Sequence, residues 1–309
     1  MTKVFIDGSA GTTGLRIRER LQDRRDIELL TLCEEKRKDP AARKEMLNQA
    51  DIAFLCLPDD AAREAVAMIE NPHTVVLDTS TAHRTDPHWC YGFPELSEER
   101  YEAVKNAKRI AVPGCHASGF IALVAPLVEA GALPKEAMLT CHSITGYSGG
   151  GKKMIAQYEG EEVDTLYDAP RQYALGQSHK HLPEMKAITG IENAPIFCPI
   201  VSDFYSGMAV TVPLFASQLN AGFGIEQIKE IYRKKYQGPM VVWSETPDAD
   251  GFYSAAAFGS SDKMEITVQG NEERILLLAR YNNLGKGASG AALECMNIVL
   301  GDAPDKNLE

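Results

Sequence analysis

What the chain lacks narrows it first. It has seven cysteines, an odd number, and no Cys-x-x-Cys pair, so neither a disulfide framework nor a thioredoxin-like redox pair is expected, and a reducing compartment is. The opening Met1-Thr2-Lys3-Val4 passes straight into strand-like residues without a leader pattern, which adds to the expectation of a cytoplasmic protein. Charges such as Glu129 and Glu294 interrupt the longest apolar runs, so no membrane span is expected. There is no surplus of positive charge: 32 Lys and Arg stand against 43 Asp and Glu, a net charge of -11. That balance argues against nucleic acid or an anionic membrane as partner and favours small-molecule chemistry, with room for a local basic pocket. Cys115, Cys141, His142, His179 and His181 occur in no usual zinc-ligand spacing, so no metal is expected. Internal repeats and low-complexity tracts are also missing.

At 309 residues, 44% hydrophobic and 24% charged, the chain has material for about two domains. Val4-Phe5-Ile6 reads as a strand, Asp7-Gly8-Ser9-Ala10-Gly11-Thr12-Thr13-Gly14 as a glycine loop, and Leu15 to Arg25 as a helix. The spacing is G-x-x-G-x-x-G rather than G-x-G-x-x-G, yet the glycines serve the same end, letting backbone approach a pyrophosphate at a helix N-terminus. Gly8, Ser9, Gly11, Thr12, Thr13 and Gly14 are therefore candidate cofactor contacts. The second strand, Ile27 to Leu32, ends at Cys33-Glu34-Glu35-Lys36-Arg37-Lys38. An acid there favours the ribose hydroxyl of NAD and a cation the 2′-phosphate of NADP; both are present, which leaves the choice open. Strands at 51–57 and 74–77 end at Pro58 and at Asp78-Thr79-Ser80-Thr81-Ala82-His83-Arg84. Strands alternating with helices predict an α/β fold with a Rossmann-type, doubly wound parallel sheet and a ligand across the strands' carboxyl ends. Pro58 and Ser80 sit at such ends as cofactor candidates, and Arg84 there suits an anionic substrate group or an ordinary surface role.

In Pro113-Gly114-Cys115-His116, a turn separates the strand Arg109 to Val112 from an Ala/Leu/Val-rich helix. A cysteine in the first turn of a helix meets the positive end of its dipole, which favours thiolate. Cys115 is thus the candidate nucleophile, against the alternative of a small buried thiol. Met138 to Thr145 reads as a strand, followed by a mobile glycine loop, Gly146 to Lys153, whose N–H groups and lysines suit a phosphate. Pro183 suits a first helical turn, placing His181 and Glu184 on one face, and a carboxylate-held histidine is what acid/base chemistry near neutral pH needs. Runs at 196–202, 207–215, 264–270 and 275–281, with a helix at 225–235, predict an α+β domain with a mostly antiparallel sheet. Asn283 to Gly290 then leads into an amphipathic helix, and residues 302–309 read as a frayed polar tail.

Seven stretches in order, Gly8 to Gly14, Asp78 to Arg84, Tyr91-Gly92-Phe93-Pro94-Glu95-Leu96, Pro113-Gly114-Cys115, Ser143 to Lys152, His179 to Glu184 and Asn283 to Gly290, give a chain that resembles the short form of the N-acetyl-gamma-glutamyl-phosphate reductases of arginine biosynthesis, within the semialdehyde dehydrogenase superfamily. The resemblance implies reduction of an acyl phosphate to a semialdehyde through a cysteine thioester, with NADP(H). It implies a dinucleotide-binding domain over 1–115 completed by 284–309, and a catalytic, substrate and oligomerisation domain over 116–283, in a homodimer or homotetramer. Cys115 becomes the nucleophile and the His179/His181 pair the acid/base, with His181 favoured because Glu184 can orient it. Asn283 joins the cofactor contacts, and Arg84, Ser143 and Lys152 become substrate contacts. Longer members carry an arginine after the glycine loop where this chain has Lys152-Lys153, a point charge in place of a bidentate fork. The same constellation would serve an aspartate-semialdehyde dehydrogenase or a related acyl phosphate reductase. From another class, it would serve a non-catalytic NADP-binding redox sensor.

Overall fold

The computed structural model describes residues 1–161, 163–246 and 248–308. These form two compact units, one of residues 1–114 and 288–308, the other of residues 115–287. Against the expected boundaries at 115/116 and 283/284, Cys115 opens the second unit instead of closing the first, because its helix lies against the second unit's sheet.

The first unit runs β1 (Thr2–Asp7), α1 (Thr12–Gln22), β2 (Ile27–Leu30), α2 (Pro40–Gln49), β3 (Ile52–Leu55), α3 (Asp59–Ala67), β4 (Val75–Asp78), β5 (Cys90–Tyr91), α4 (Glu98–Asn106) and β6 (Arg109–Ala111). Its strands pair in parallel in the order β2-β1-β3-β4-β6-β5. Strands buried on both faces need continuous apolar runs rather than alternation, and β3 and β4 are buried throughout. One face buries Val4, Ile6, Phe54 and Leu77 with Ile17 and Leu21 of α1, Val104 of α4, and Ala292, Cys295 and Met296 of the C-terminal helix Gly290–Leu300. The other buries Phe5, Ala53, Leu55 and Val76 with Leu47 of α2 and Ala65 of α3. The tail is not frayed through residue 308. Asn297 donates to the carbonyls of Pro304 and Lys306, and Arg24 reaches Asp302 at 2.9 Å. Two buried polar side chains thus find their partners in the tail, which is why it folds back.

The second unit runs α5 (Cys115–Glu129), β7 (Thr140–Gly146), α6 (Gly151–Glu159), β8 (Arg171–Gln172), α7 (Leu182–Thr189), β9 (Ile196–Ser202), β10 (Met208–Phe215), α8 (Ile225–Lys235), β11 (Val241–Trp243), β12 (Met264–Gly270) and β13 (Arg274–Tyr281). The sheet order is β11-β12-β13-β10-β7-β9-β8. The pairs β11–β12 and β7–β9 are parallel and the others antiparallel, so the sheet is mixed. Register divides its faces: Cys141, Ser143, Val210, Leu277 and Tyr281 are buried on the α5 side, while Ile144, Ile196, Phe215 and Leu276 are exposed on the other.

Helix α5 is buried along nearly its whole length and contains Pro126. Proline has no N–H for the carbonyl four residues back. The Tyr236 hydroxyl supplies a donor to that carbonyl, Ala122, at 2.6 Å, and the Tyr232 hydroxyl donates to the next, Leu123. The expected mobile loop at 146–153 is instead a 3₁₀ turn, Tyr147–Gly150, running into α6. Its N–H groups at Gly146, Tyr147 and Ser148 donate to the carbonyls of Gly207, Phe204 and Tyr205, which removes the freedom its glycines suggest. No helix among the described residues is long and apolar enough to cross a membrane.

Candidate active site

Cys115 is half-buried at the first residue of α5 and is followed by a buried imidazole, His116. His116 Nδ1 lies 2.6 Å from Ser143 Oγ on β7, and its Nε2 lies 2.6 Å from the Tyr173 hydroxyl. The His179 and His181 rings each stand 5.7 Å from the His116 ring and 4.7 Å from one another. Burial, with His179 beside it, pulls the His116 imidazole down to about 3, so near neutrality it is uncharged, one nitrogen donating and the other accepting. Burial and the neighbouring Cys115 push the Tyr173 phenol up, which keeps its proton in place.

The segment carrying Tyr173 and His179 is held at defined points. Tyr173 N donates to the Pro199 carbonyl, and the Gln177 side-chain amide exchanges two hydrogen bonds with the Phe197 backbone, as a strand residue would. Ala174 and Gln177 both adopt positive φ, 51° and 53°, a region that non-glycine residues enter at a cost and that clusters at functional sites. His179 Nδ1 accepts the backbone N–H of His181 at 3.2 Å. His181 and Glu184 are both buried, with Nε2 and Oε1 3.9 Å apart, an ion-pair separation rather than a hydrogen bond.

Burial pushes Cys56 up to about 12, and it raises Cys90 and Cys141 as well, so these favour the unreactive protonated form. Among the described residues no group of three or more His, Cys, Asp or Glu is arranged to hold a metal ion.

In the first unit the glycine loop has the shape a dinucleotide needs. Gly8 has φ +87°, and a Cβ on it would sit 2.2 Å from the Cys56 carbonyl oxygen; one on Gly14 would sit 2.5 Å from the Gly8 carbonyl oxygen. Helix α1 starts after Gly11 with no side chain capping it, leaving its N-terminal N–H groups to an anion. Beside the loop is a cavity of about 860 Å³ whose walls include Gly8, Ser9, Leu32, Arg18, Arg37 and Lys38. These residues fit a nicotinamide dinucleotide. Asp7, at the end of β1, is buried and takes a bidentate contact from Arg43 of α2 at 2.9 to 3.1 Å, which fixes the strand end from which the loop departs.

The remaining candidates are divided between the two units. Ser80 donates to Asp78 Oδ2 at 2.7 Å, and the same carboxylate oxygen lies 2.6 Å from His83 Nδ1; this cluster locks the loop after β4. Pro58 is exposed at the start of α3. Arg84 is buried, its Nε donating to the Val112 carbonyl and Nη2 to that of Thr79, so the guanidinium ties the turn before Cys115 to the end of β4. Asn283 accepts from Gly207 N and donates to Ser148 Oγ, a clasp inside the second unit. Ser143 is fully buried against His116, and Lys152 is exposed in the first turn of α6. Residues absent from the expected set are His116, Tyr173 and Tyr281. His116 had a local signal, since it shares the first helical turn with Cys115; the other two had none.

Comparison with known proteins follows the same division. The semialdehyde dehydrogenase NAD-binding domain model matches residues 3–104, and the semialdehyde dehydrogenase dimerisation domain model matches 115–283. The chain belongs to the semialdehyde dehydrogenase family. It is 46% identical to N-acetyl-gamma-glutamyl-phosphate reductase of Chelativorans sp., covering 96% of this chain and 98% of that one, and 44% identical to the Rhizobium meliloti enzyme with the same coverage. Within the family it therefore stands among the N-acetyl-gamma-glutamyl-phosphate reductases. Aspartate semialdehyde dehydrogenase II of Vibrio cholerae, solved in complex with ASA, shares the fold at TM-score 0.72 over 98% of this chain and 99% of that one, with 18% sequence identity.

Proposed function

We propose that the chain reduces N-acetyl-gamma-glutamyl phosphate to the semialdehyde with release of phosphate, using Cys115 as nucleophile and NADP(H) as cofactor. The observation that carries this is a half-buried thiol on the first residue of a helix whose second residue, His116, has the imidazoles of His179 and His181 gathered around it. The Cys115 thiolate attacks the acyl carbonyl carbon, the bond to the phosphoryl oxygen breaks, and phosphate leaves a thioester, dividing one difficult step into two. The cofactor, when bound, supplies a hydride to a carbonyl carbon. His181, with Glu184 beside it, gives a proton to the oxyanion and takes it back from the resulting hydroxyl as the carbon–sulfur bond breaks, which leaves the aldehyde and returns Cys115 as thiolate. Neutral His116, held at both nitrogens, sets the positions of Tyr173 and the outer imidazoles without charging.

Arg18, Arg37 and Lys38 line the cavity with Glu34 and Glu35, and the excess of cations over acids among these five supports a 2′-phosphate, hence NADP over NAD. The exposed face of the mixed sheet, with Ile144, Ile196, Phe215 and Leu276 uncovered, is the surface through which two copies pair, and a homodimer is the smallest assembly that buries it. The aspartate-semialdehyde alternative shares only the fold at 18% identity, whereas the reductase relatives share 44 to 46% of residues.

The test is the reverse assay with N-acetylglutamate semialdehyde, phosphate and NADP. Phosphate-dependent reduction is expected, with turnover in Cys115→Ser lower by roughly a thousandfold or more and cofactor binding retained. Substantial turnover by that variant would refute the covalent role, and turnover without phosphate would refute the acyl phosphate chemistry.

A further inference from the structure

We propose that Tyr281 is a positioning residue for the thiol: its hydroxyl, set into the first turn of α5 between the Cys115 carbonyl and the Gly119 N–H, fixes how Cys115 is presented. The Tyr281 hydroxyl donates to the Cys115 carbonyl oxygen at 2.5 Å and accepts from Gly119 N at 3.0 Å. Those two backbone groups are an i, i+4 pair, the partners of an α-helical hydrogen bond in the first turn of α5. One hydroxyl with one proton and a free lone pair serves both.

The surroundings are built to admit it. A Cβ on Gly119 would lie 2.7 Å from the Tyr281 hydroxyl and 2.6 Å from Val210 Cγ2, so only glycine lets the phenol reach the helix backbone. Glycine inside a helix is unfavourable relative to alanine, and this close approach explains its presence here. Tyr281 is fully buried at the end of β13, in register with Met208 on one neighbouring strand and Met264 on the other, which leaves the ring no room to swing away. After β13 the chain turns back through a wide π-type turn in which Gly287 N donates to the Asn282 carbonyl, and a Cβ on Gly287 would lie 3.0 Å from Cys115 Cβ. One strand and the turn that follows it therefore bound Cys115 on two sides. Burial first, and Cys115 after it, push the Tyr281 phenol well up, so its proton stays in place to be donated toward the cysteine backbone.

The positive end of that O–H dipole adds to the field that favours thiolate, so the hydroxyl acts on the nucleophile through its backbone, without touching substrate. This rests on Cys115 being the nucleophile. The experiment is the pH dependence of iodoacetamide alkylation of Cys115, read by peptide mass, alongside steady-state kinetics, in Tyr281→Phe and in protein carrying 3-fluorotyrosine at position 281. In Tyr281→Phe we expect kcat to fall about tenfold with KM for substrate and cofactor unchanged, and the alkylation midpoint to rise by about one pH unit. Fluorination keeps the hydroxyl and strengthens it as a donor, so there the midpoint moves down. An unchanged midpoint in Tyr281→Phe, with or without a fall in kcat, overturns the proposal, as does a shift of the same sign in both proteins. Should Tyr281→Phe fail to fold, the fluorinated protein decides by the sign of its shift. Turnover surviving in Cys115→Ser would defeat the underlying assignment instead, and would do so without bearing on the alkylation midpoints.

Discussion

The glycine loop of the first unit and the thiol cluster of the second carry function in opposite ways. At the loop, backbone does the work: Gly8 and Gly14 let the chain fold onto itself, and the N-terminus of α1 is left uncapped. Polar side chains expected at the carboxyl ends of the strands also hold loops, Ser80, the cofactor candidate, through Asp78, and Arg84, the substrate candidate, through two carbonyls. At the thiol cluster side chains do the work, and backbone is what they hold: Tyr281 grips the first turn of α5, and Gln177 pins the segment that carries His179. A site made of backbone tolerates change in side chain but not in conformation; a site made of side chains has the reverse sensitivity.

The largest effect follows from conformation. Gly8→Ala adds a Cβ 2.2 Å from the Cys56 carbonyl oxygen at φ +87°, and strain of about 3 kcal/mol or more should abolish cofactor binding by fluorescence titration. Normal binding would remove the contrast at its backbone end. Next, His116→Gln should lower kcat by about tenfold to a hundredfold while leaving the cofactor Kd unchanged. The same variant has a pH signature. His116 is held at about 3 when folded against about 6.5 unfolded, so between those values only the unfolded state binds the proton. The wild-type chain must therefore lose stability as pH falls through that window, and urea unfolding at pH 5 and 7.5 should show a smaller loss in His116→Gln. Smaller again, Arg37→Ala should raise the Kd for NADP about tenfold, roughly 1.4 kcal/mol, with NAD unaffected; equal weakening of both would place the 2′-phosphate elsewhere. Smallest, Tyr236→Phe removes the donor to the Ala122 carbonyl and should cost about 1 kcal/mol of stability with kcat intact.

Sequence patterns revealed what is local. The strand, glycine loop and helix at 2–22, the thiol at a strand–helix junction and the strands β7, β9, β10, β12 and β13 stand within a few residues of where periodicity and turn chemistry put them, while the short strands β8 and β11 gave no such signal. What stayed hidden depends on partners far along the chain. Ser143 and Tyr173 lie 27 and 57 positions from His116, and only the placement of β7 and two left-handed residues bring them to it. The intramolecular partners of Ser80, Arg84 and Asn283 stayed hidden for a related reason. A polar side chain at a strand end suits a ligand or a backbone carbonyl equally, and the carbonyls are set by the fold. The run Gly146 to Gly151 looks mobile because glycine removes local restraint; long-range donation to residues 204, 205 and 207 restores it.

Helix α5 meets three phenol oxygens along its length, at the carbonyls of Cys115, Ala122 and Leu123. A helix held only by apolar packing can slip by a residue or rotate by a fraction of a turn and find other contacts. One whose carbonyls are addressed individually by Tyr281, Tyr236 and Tyr232 has a single axial setting, and any slip forfeits all three bonds together. The first of those addresses is the residue proposed as nucleophile. Insertions within α5 should therefore be selected against all the way from Cys115 to Leu123, even where no side chain in the interval touches substrate.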